Sequence, residues 1–325
     1  MWQTYGHEWA TGLLQQALDT QRIAHAYLIT GPAHVGKATL ARDFAAALSC
    51  TGQRQPCDDC RACRLARDGG HPDILVVQPH KGTFKIAQIR DLQRDLALSP
   101  YEGRYRICVL IDMHLATDEA ENALLKTLEE PTSRVVLVLT ALDPSLLLPT
   151  VVSRCQLLAL RSVPEQTIAR VLTERWQATP ERAQLLARLA AGRIGWAIQA
   201  VQDDSILRAR DQALDDLQQA VAGGRLARLR LAESLGALDP EQLLELSSLW
   251  QSWWRDLLCV SLGCDELAIN LDRRPVLHRM AAQLQPPQLT TACSSVDRLL
   301  QQLAQNVTAR LALEDMLLSW PLVNA

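Results

Sequence analysis

The chain has 325 residues, of which 48% are hydrophobic, 21% are charged and 4% are aromatic, with a formal net charge of −3 at pH 7. This length favours two or three domains, and the abundance of Leu, Ala, Gln and Arg favours a mostly helical protein. The acidic balance excludes a basic field over the whole surface, so contact with nucleic acid would need a local patch or partner proteins.

Nine cysteines without a secretory signal indicate reduced thiols or a metal site. Since no apolar run reaches membrane-spanning length, we expect a cytoplasmic protein without membrane contact.

The first predicted elements are a helix over residues 7–20, a buried strand over 26–30 and a helix over 35–50. Gly31, Gly36 and Lys37 stand between the strand and the second helix in the spacing G-x4-G-K. Glycines let backbone N–H groups turn toward phosphate oxygens, and the helix N-terminus adds its partial positive charge. Lysine would supply a point charge to the outer phosphates. The segment therefore predicts a nucleotide site.

One magnesium ligand is missing from this loop. A Ser or Thr is expected directly after Lys37, where its hydroxyl helps to hold the metal, but the residue there is Ala38. Thr39 comes one position late and lies on a different face of the helix. The sequence thus predicts a degenerate nucleotide site. Thr39 is assigned to this site because it lies two residues after Lys37.

Four cysteines follow the loop helix in the spacing C-x6-C-x2-C-x2-C, and they are Cys50, Cys57, Cys60 and Cys63. Four thiolates this close suit a tetrahedral Zn²⁺ ion, and the short spacers are typical of zinc knuckles. Because all four ligands would be protein groups, the predicted site is structural and not catalytic. The alternatives are an iron–sulfur cluster, a site in which His71 replaces Cys50, and four unrelated cysteines.

Beyond the cysteines, strands alternate with helices, which favours a doubly wound parallel sheet. Strands are predicted over residues 73–78, 106–112, 134–140 and 156–160, and helices over 86–98 and 117–130, the second ended by Pro131. The strand over 106–112 is the most apolar, which is typical of a central strand buried on both faces.

Two polar residues stand at the ends of predicted strands. Asp112 ends the central strand, where a phosphate-loop nucleotidase places its magnesium-orienting carboxylate. The other interpretation of Asp112 is a helix cap. Met113 follows, at the position of the glutamate that polarises the attacking water. Thr140 ends the next strand, at the edge that lines the ligand crevice of open α/β sheets.

The strand pattern ends near residue 164. Helices are predicted over 165–178 and 180–191, then from 205 onward with breaks at Gly223-Gly224, Asp239-Pro240 and Pro286-Pro287. Trp250, Trp253, Trp254 and Trp320 are interpreted as the core of a helical bundle and not as a binding surface. We expect three domains, at 1–161 with the cysteine module at 50–63 inserted, 162–204 and 205–325.

In this order, the motifs resemble the delta-prime family of bacterial DNA polymerase III clamp-loader subunits, a branch of the AAA+ proteins. The resemblance covers essentially the whole chain. Besides the phosphate loop and the cysteine spacing, it rests on five segments: His25-Ala-Tyr-Leu-Ile-Thr-Gly31-Pro32, Asn122-Ala-Leu-Leu-Lys-Thr-Leu-Glu-Glu-Pro131, Leu148-Pro-Thr-Val-Val-Ser-Arg-Cys155, Gly192-Arg-Ile-Gly-Trp-Ala197 and Asn306-Val-Thr-Ala-Arg-Leu-Ala-Leu-Glu314.

The resemblance implies an AAA+ α/β domain, a small helical lid domain and an all-α collar domain that mediates oligomerisation. It also implies that Arg154 is an arginine finger, which reaches the γ-phosphate bound by a neighbouring subunit. The implied partners are the motor subunits and the delta subunit of the loader, the sliding clamp weakly or indirectly, and primed DNA through the complex. The structural interpretation of Arg154 is a surface salt bridge.

Departures from the active members of this family predict a subunit that does not hydrolyse ATP by itself. Ala38 and Met113 replace two catalytic residues, and Gly195 stands where the lid arginine is expected, with Arg193 a poor substitute. Since Lys37 is present, ATP binding without hydrolysis stays open. Two rival functions also stay open, an active ATPase motor subunit and a zinc-dependent nucleic-acid-binding module with a vestigial nucleotide fold.

Overall fold

The computed structural model describes residues 1–80, 82–130, 134–305 and 307–323. The chain divides into two compact units, Met1–Val171 with Gly192–Trp196, and Leu172–Ala191 with Ala197–Ala325. Pro131, the predicted end of a helix, and Asn306, in the last matched segment, lie outside the described residues. The division into three domains stays a prediction.

A five-stranded parallel sheet forms the core of the first unit, as predicted. Its strands are β1 (Ala26–Thr30), β2 (Ile74–Val77), β3 (Arg106–Leu110), β4 (Val135–Ala141) and β5 (Gln156–Ala159). They are arranged in the order β2-β3-β4-β1-β5, and every neighbouring pair is parallel. All residues of β1, β3 and β4 are buried, which confirms that the apolar run near residue 107 is a central strand.

Helices connect the strands of this unit. They are α1 (Glu8–Asp19), α2 (Lys37–Ser49), α3 (Arg61–Arg67), α4 (Ile86–Leu96), α5 (Asp118–Glu129) and α6 (Pro149–Val152). Among these helices, α3 and the four-residue α6 were not predicted, α3 because the cysteine segment has no apolar periodicity. The N-cap of α3 is Cys60, whose sulfur accepts a hydrogen bond from the Cys63 amide.

Several predicted boundaries were wrong by one or two residues. Helix α2 begins at Lys37 and not at residue 35, because Gly36 has φ 111°, outside the helical region. Strand β3 ends at Leu110, since Asp112 takes a left-handed conformation with φ 57°. Strand β4 extends one residue past Thr140, where Ala141 still pairs with Thr30 of β1.

Only helices and short turns follow β5 in the described part of the chain. They are α7 (Glu165–Trp176), α8 (Pro180–Ala190), α9 (Ile194–Gln202), α10 (Asp204–Ala222), α11 (Gly224–Leu235), α12 (Pro240–Ser261), α13 (Arg274–Ala281), α14 (Pro286–Ala304) and α15 (Ala309–Ser319). The Asp239 carboxylate caps α12 by accepting the Gln242 amide at 2.9 Å. Within the described residues, none of the helices has the length and hydrophobicity needed to span a bilayer.

Tryptophan side chains form the centre of the helical bundle in the second unit. Trp250 and Trp254 of α12 each meet the Trp320 ring edge-on, with ring centroids 5.2 Å apart. The Trp320 indole N–H donates to the Ser295 hydroxyl at 3.1 Å. These three rings are at most 3% exposed, so their interpretation as core is confirmed.

A buried arginine joins the ends of two helices in this bundle. The Arg228 guanidinium of α11 donates to the carbonyls of Ala220 near the end of α10 and of Leu317 in α15, at 3.1 and 3.2 Å. It also donates to the carbonyls of Trp320 and Pro321. Its charge faces the negative ends of two helix dipoles, and burial lowers the pKa of the guanidinium.

We predict that Arg228→Met will destabilise the bundle by about 2–3 kcal/mol, because it leaves several buried carbonyls without a donor. Urea unfolding followed by tryptophan fluorescence measures the effect. The control is Arg230→Met, which removes an exposed arginine from the same helix and should leave the midpoint unchanged. Equal midpoints for the two variants would contradict the assigned role of Arg228.

Candidate functional site

The phosphate loop occupies the six residues between β1 and α2. Gly31 has φ 143° and Gly36 has φ 111°, conformations that side chains rarely adopt. A Cβ atom at Gly31 would lie 2.5 Å from the Leu160 carbonyl oxygen, so only glycine fits there. The loop therefore has the backbone form that its glycines predict, and its chain passes into the N-terminus of α2.

The carbonyl oxygens of this loop bond to donors from the chain itself. The Lys37 ammonium donates to the carbonyls of Gly31 at 2.9 Å and Pro32 at 2.8 Å. The Gly195 amide donates to the His34 carbonyl at 2.7 Å. His7, 2% exposed, places Nε2 at 2.9 Å from the Val35 carbonyl. The loop is thus held by hydrogen bonds from three parts of the chain.

Lys37 is buried, with 6% of its surface exposed. Burial disfavours its charged form and lowers the pKa of the ammonium to about 8, although the Asp112 carboxylate nearby acts in the opposite direction. Lys37 and Asp112, both assigned to the nucleotide site, therefore interact electrostatically, and the assignment of that site stays a prediction. Thr39, in contrast, is exposed on another face of α2 and lies away from this group.

Asp112 and Thr140 meet at the ends of neighbouring strands. The Asp112 amide donates to the Thr140 hydroxyl at 2.9 Å, and Thr140 is fully buried. Met113 is also fully buried, within the apolar cluster on one face of the sheet. Its side chain therefore packs in the core, and the position that would hold a water-activating carboxylate is a packing position here.

His114 is a member of this site that sequence reasoning missed. Burial lowers the pKa of its imidazole, the Asp112 carboxylate acts in the opposite direction and the Lys37 ammonium lowers the pKa further. Its Nδ1 atom is buried and has no hydrogen-bond partner among the described residues. In the sequence, the only feature that could have indicated a role for His114 was its position two residues after Asp112.

Gly195, which stands where the sequence comparison with active family members expects a lid arginine, packs closely against the phosphate loop. A Cβ atom at this position would lie 2.8 Å from the His34 carbonyl oxygen, the same atom that accepts the Gly195 amide. A side chain would therefore push the lid segment off the phosphate loop. Arg193 lies elsewhere, with its guanidinium carbon 5.7 Å from the centre of the Trp196 ring.

Arg154 follows the short helix α6. Its Nη1 donates to the Thr150 carbonyl at 2.8 Å and to the Ser153 hydroxyl at 3.4 Å. Its Nη2 lies 2.9 Å from Oε1 of Glu129, at the end of α5. With 34% of the side chain exposed, the guanidinium is ordered at the surface.

The four predicted cysteines lie together, and they can hold a metal ion. Their sulfur atoms are all within 4.8 Å of one another, with 4.0 Å between Cys57 and Cys63 and between Cys50 and Cys60. Tetrahedral zinc with Zn–S bonds of about 2.3 Å requires sulfur separations of about 3.8 Å, close to these values. The donor set and its geometry therefore fit zinc.

Backbone groups around this cysteine cluster favour thiolates. The amides of Gly52, Cys60 and Cys63 donate to the sulfurs of Cys50, Cys57 and Cys60 at 3.3–3.4 Å. Burial works against ionisation of Cys60, but hydrogen bonds from the backbone lower the pKa of its thiol to about 6, whereas burial raises the pKa of Cys50 and Cys63. Thiolates are the form that binds metal.

His71 does not join the cysteine cluster in the described structure. Its Nδ1 lies 3.1 Å from the Asp73 amide, and its Nε2 lies 3.8 Å from Glu102. The alternative ligand set with His71 in place of Cys50 is therefore not the one that the fold brings together.

Two family models match the chain. The model for the DNA polymerase III delta subunit matches residues 6–164, and the model for the C-terminal part of that subunit matches residues 206–321. DNA polymerase III subunit delta' of Pseudomonas aeruginosa is 30% identical over 327 residues, which cover 97% of each chain.

Of two further similar proteins, one is about twice as long as this chain and the other has a lower sequence identity. DNA polymerase III subunit tau of Escherichia coli is 30% identical over 316 residues, 93% of this chain but 47% of tau, so the chain spans about half the length of that relative. A DNA polymerase III gamma subunit-related protein of Thermotoga maritima has a TM-score of 0.51 at 18% identity, covering 94% of this chain and 97% of its own. This structural likeness shows that the two chains share a fold.

We predict a pH-dependent stability difference between the native chain and Lys37→Met. Between pH 8 and 10.5 the unfolded chain holds the Lys37 proton while the folded chain has lost it, so the native chain gains stability relative to the variant as the pH rises. The slope is about 1.4 kcal/mol per pH unit at most. Urea unfolding at several pH values measures it, with Lys126→Met, an exposed lysine, as the control. A flat difference across this range would show that Lys37 is not buried in solution.

Proposed function

The chain belongs to the delta-prime family of DNA polymerase III, and from this premise we propose that it is a non-hydrolysing stator subunit of a clamp loader. The observation that carries the proposal is the packing of Met113 in the sheet core, because this residue stands where a hydrolytic site would place its water-activating carboxylate. Ala38 offers no hydroxyl to magnesium, and Gly195 leaves no space for a lid arginine. Three parts of a hydrolytic site are therefore replaced together.

In catalysis, this subunit would supply Arg154 to the ATP-binding site of a neighbouring subunit. A guanidinium is always charged and forks onto phosphate oxygens, so it can stabilise the charge that develops at a γ-phosphate. The position of Arg154 after α6, ordered and partly exposed, supports delivery across a subunit interface. The neighbour would be an ATP-hydrolysing motor subunit of the loader.

The helical bundle would pack with other subunits in a collar. Helices α11 and α15 contact each other, with Arg310 3.4 Å from Glu233, and this pair of helices leaves large apolar side chains exposed. The exposed side chains on or next to these helices are Leu226, Leu229, Leu311, Leu318 and Leu322. The complete assembly, with motor subunits and the delta subunit, would open the sliding clamp and load it on primed DNA in the cytoplasm. Contact of this chain with the clamp would be weak or indirect.

Zinc is the metal we assign to the cysteine cluster, as a structural ion. Four protein thiolates fill a tetrahedral shell, so no position is left for a reacting water. Cys50, Cys57, Cys60 and Cys63 would hold the ion, and it would stabilise the loop that contains α3.

We predict that the purified chain contains about one zinc ion, as expected for a structural site with four cysteine ligands. Elemental analysis after gel filtration measures it. Cys60→Ser should lose most of the zinc and lower the stability of the first unit, since metal binding and folding are coupled. Cys264→Ser, which removes a cysteine outside the cluster, should keep the zinc. A zinc-free native chain, or an iron–sulfur absorption spectrum, would contradict the assignment.

A second candidate function is an active ATPase, and the presence of Lys37 at the phosphate loop and of Asp112 after β3 favours it. ATP turnover by the purified chain, lost in Lys37→Met, would support this function and contradict the stator. ATP binding without turnover would be compatible with the stator.

We predict that Arg154→Ala will lower DNA- and clamp-stimulated ATP turnover of the reconstituted loader by about 1,000-fold or more at the site it serves, because arginine fingers contribute at least this order of magnitude. Assembly, followed by gel filtration, should be unchanged. Arg161→Ala, an exposed arginine in the same unit, is the control and should retain turnover. Native turnover in an assembled Arg154→Ala loader would contradict the arginine-finger role.

A further inference from the structure

Helix α5 contacts the segment that carries Arg154 at both of its ends. Two glutamates of α5, Glu121 and Glu129, make these contacts, the first before α6 and the second after it. They are eight residues apart, slightly more than two helical turns, so both lie on the same side of α5. The side of α5 that faces α6 therefore presents two carboxylates.

Glu121 fixes the start of α6. Its Oε2 accepts the Leu148 amide at 2.8 Å, one of the N–H groups at a helix start that has no partner within the helix. Glu121 is 4% exposed, and burial raises the pKa of its carboxyl. A buried carboxylate bonded to a single amide indicates that the position of α6 against α5 is strongly specified.

Glu129 contacts the guanidinium itself. Its carboxylate lies 2.9 Å from Nη2, while Nη1 bonds the Thr150 carbonyl and the Ser153 hydroxyl. Among the described residues, these contacts engage three of the five N–H donors of the guanidinium. The other two donors are left for an oxygen atom of an incoming phosphate. The side chain is thus held in one orientation while two of its N–H donors remain available.

We infer that Glu129 is a positioning residue for Arg154, and this inference rests on the arginine-finger function proposed above. An arginine side chain has many rotamers, and holding it in one of them before a phosphate arrives lowers the entropy lost when it binds. Glu129 supplies this restraint from α5, whereas the Thr150 carbonyl supplies it from α6. Because the pair is half-exposed, its effect is modest and depends on salt.

The test compares Glu129→Gln with a matched neighbour, Glu130→Gln, in the reconstituted loader. Both substitutions remove one negative charge from adjacent exposed residues, but only Glu129 is paired with Arg154. We expect Glu129→Gln to lower the kcat of stimulated ATP turnover about two- to five-fold, the range expected for an exposed ion pair, with an unchanged KM for ATP. The ratio between native and Glu129→Gln turnover should approach one as ionic strength rises. Glu130→Gln should behave as the native chain.

A double-variant cycle separates the failure of this inference from the failure of the proposed function. In the Arg154→Ala background, Glu129→Gln should have no further effect, since Glu129 acts only through Arg154. If Arg154→Ala lowers turnover while Glu129→Gln leaves it unchanged or raises it, the positioning role is wrong and the arginine finger stands. If Glu129→Gln lowers turnover equally in both backgrounds, Glu129 acts elsewhere and the inference is overturned. If Arg154→Ala itself has no effect, the proposed function is wrong and the inference fails with it.

Discussion

The hydrogen bonds to the carbonyl oxygens of the phosphate loop are the constraint on which the first unit depends. Lys37 bonds the beginning of the loop, Gly195 bonds its middle and His7 bonds its end. The donors come from the start of α2, from the first turn of α9 and from His7 before α1, so the loop is bonded by the helix that follows it and by two segments distant in sequence.

Much of the fold could be predicted because its sequence signals are local and strong. The apolar runs at β1, β3 and β4 are buried on both faces, which is the one environment in which such runs are stable in a soluble domain. Helix starts at Asp239 and Thr179 have side chains that accept the expected backbone amides. Strand and helix ends were less predictable, because they depend on backbone conformations such as the left-handed one at Asp112.

Some residues of the candidate sites could be predicted from sequence motifs, whereas others could not. The cysteine spacing and the glycine spacing are motifs, and the fold brings each set together as predicted. His114, Glu121 and Glu129 have no motif that marks their roles, since each acquires its role from a residue distant in sequence or from burial. Helix α3 was missed for a related reason, because its first turn is organised by hydrogen bonds to sulfur and not by an apolar face. Physical roles that arise from tertiary contacts are not visible in a single sequence.

The bond between the Gly195 amide and the His34 carbonyl has a consequence for synthesis of the chain on the ribosome. The phosphate loop is made early, whereas Gly195 emerges only after all five strands have been made. Until then the hydrogen bond to the His34 carbonyl cannot form. All five strands are made before that time, so the sheet can pair while the chain is still being synthesised. The phosphate loop, although it is made early, therefore acquires this native hydrogen bond only once residue 195 is available.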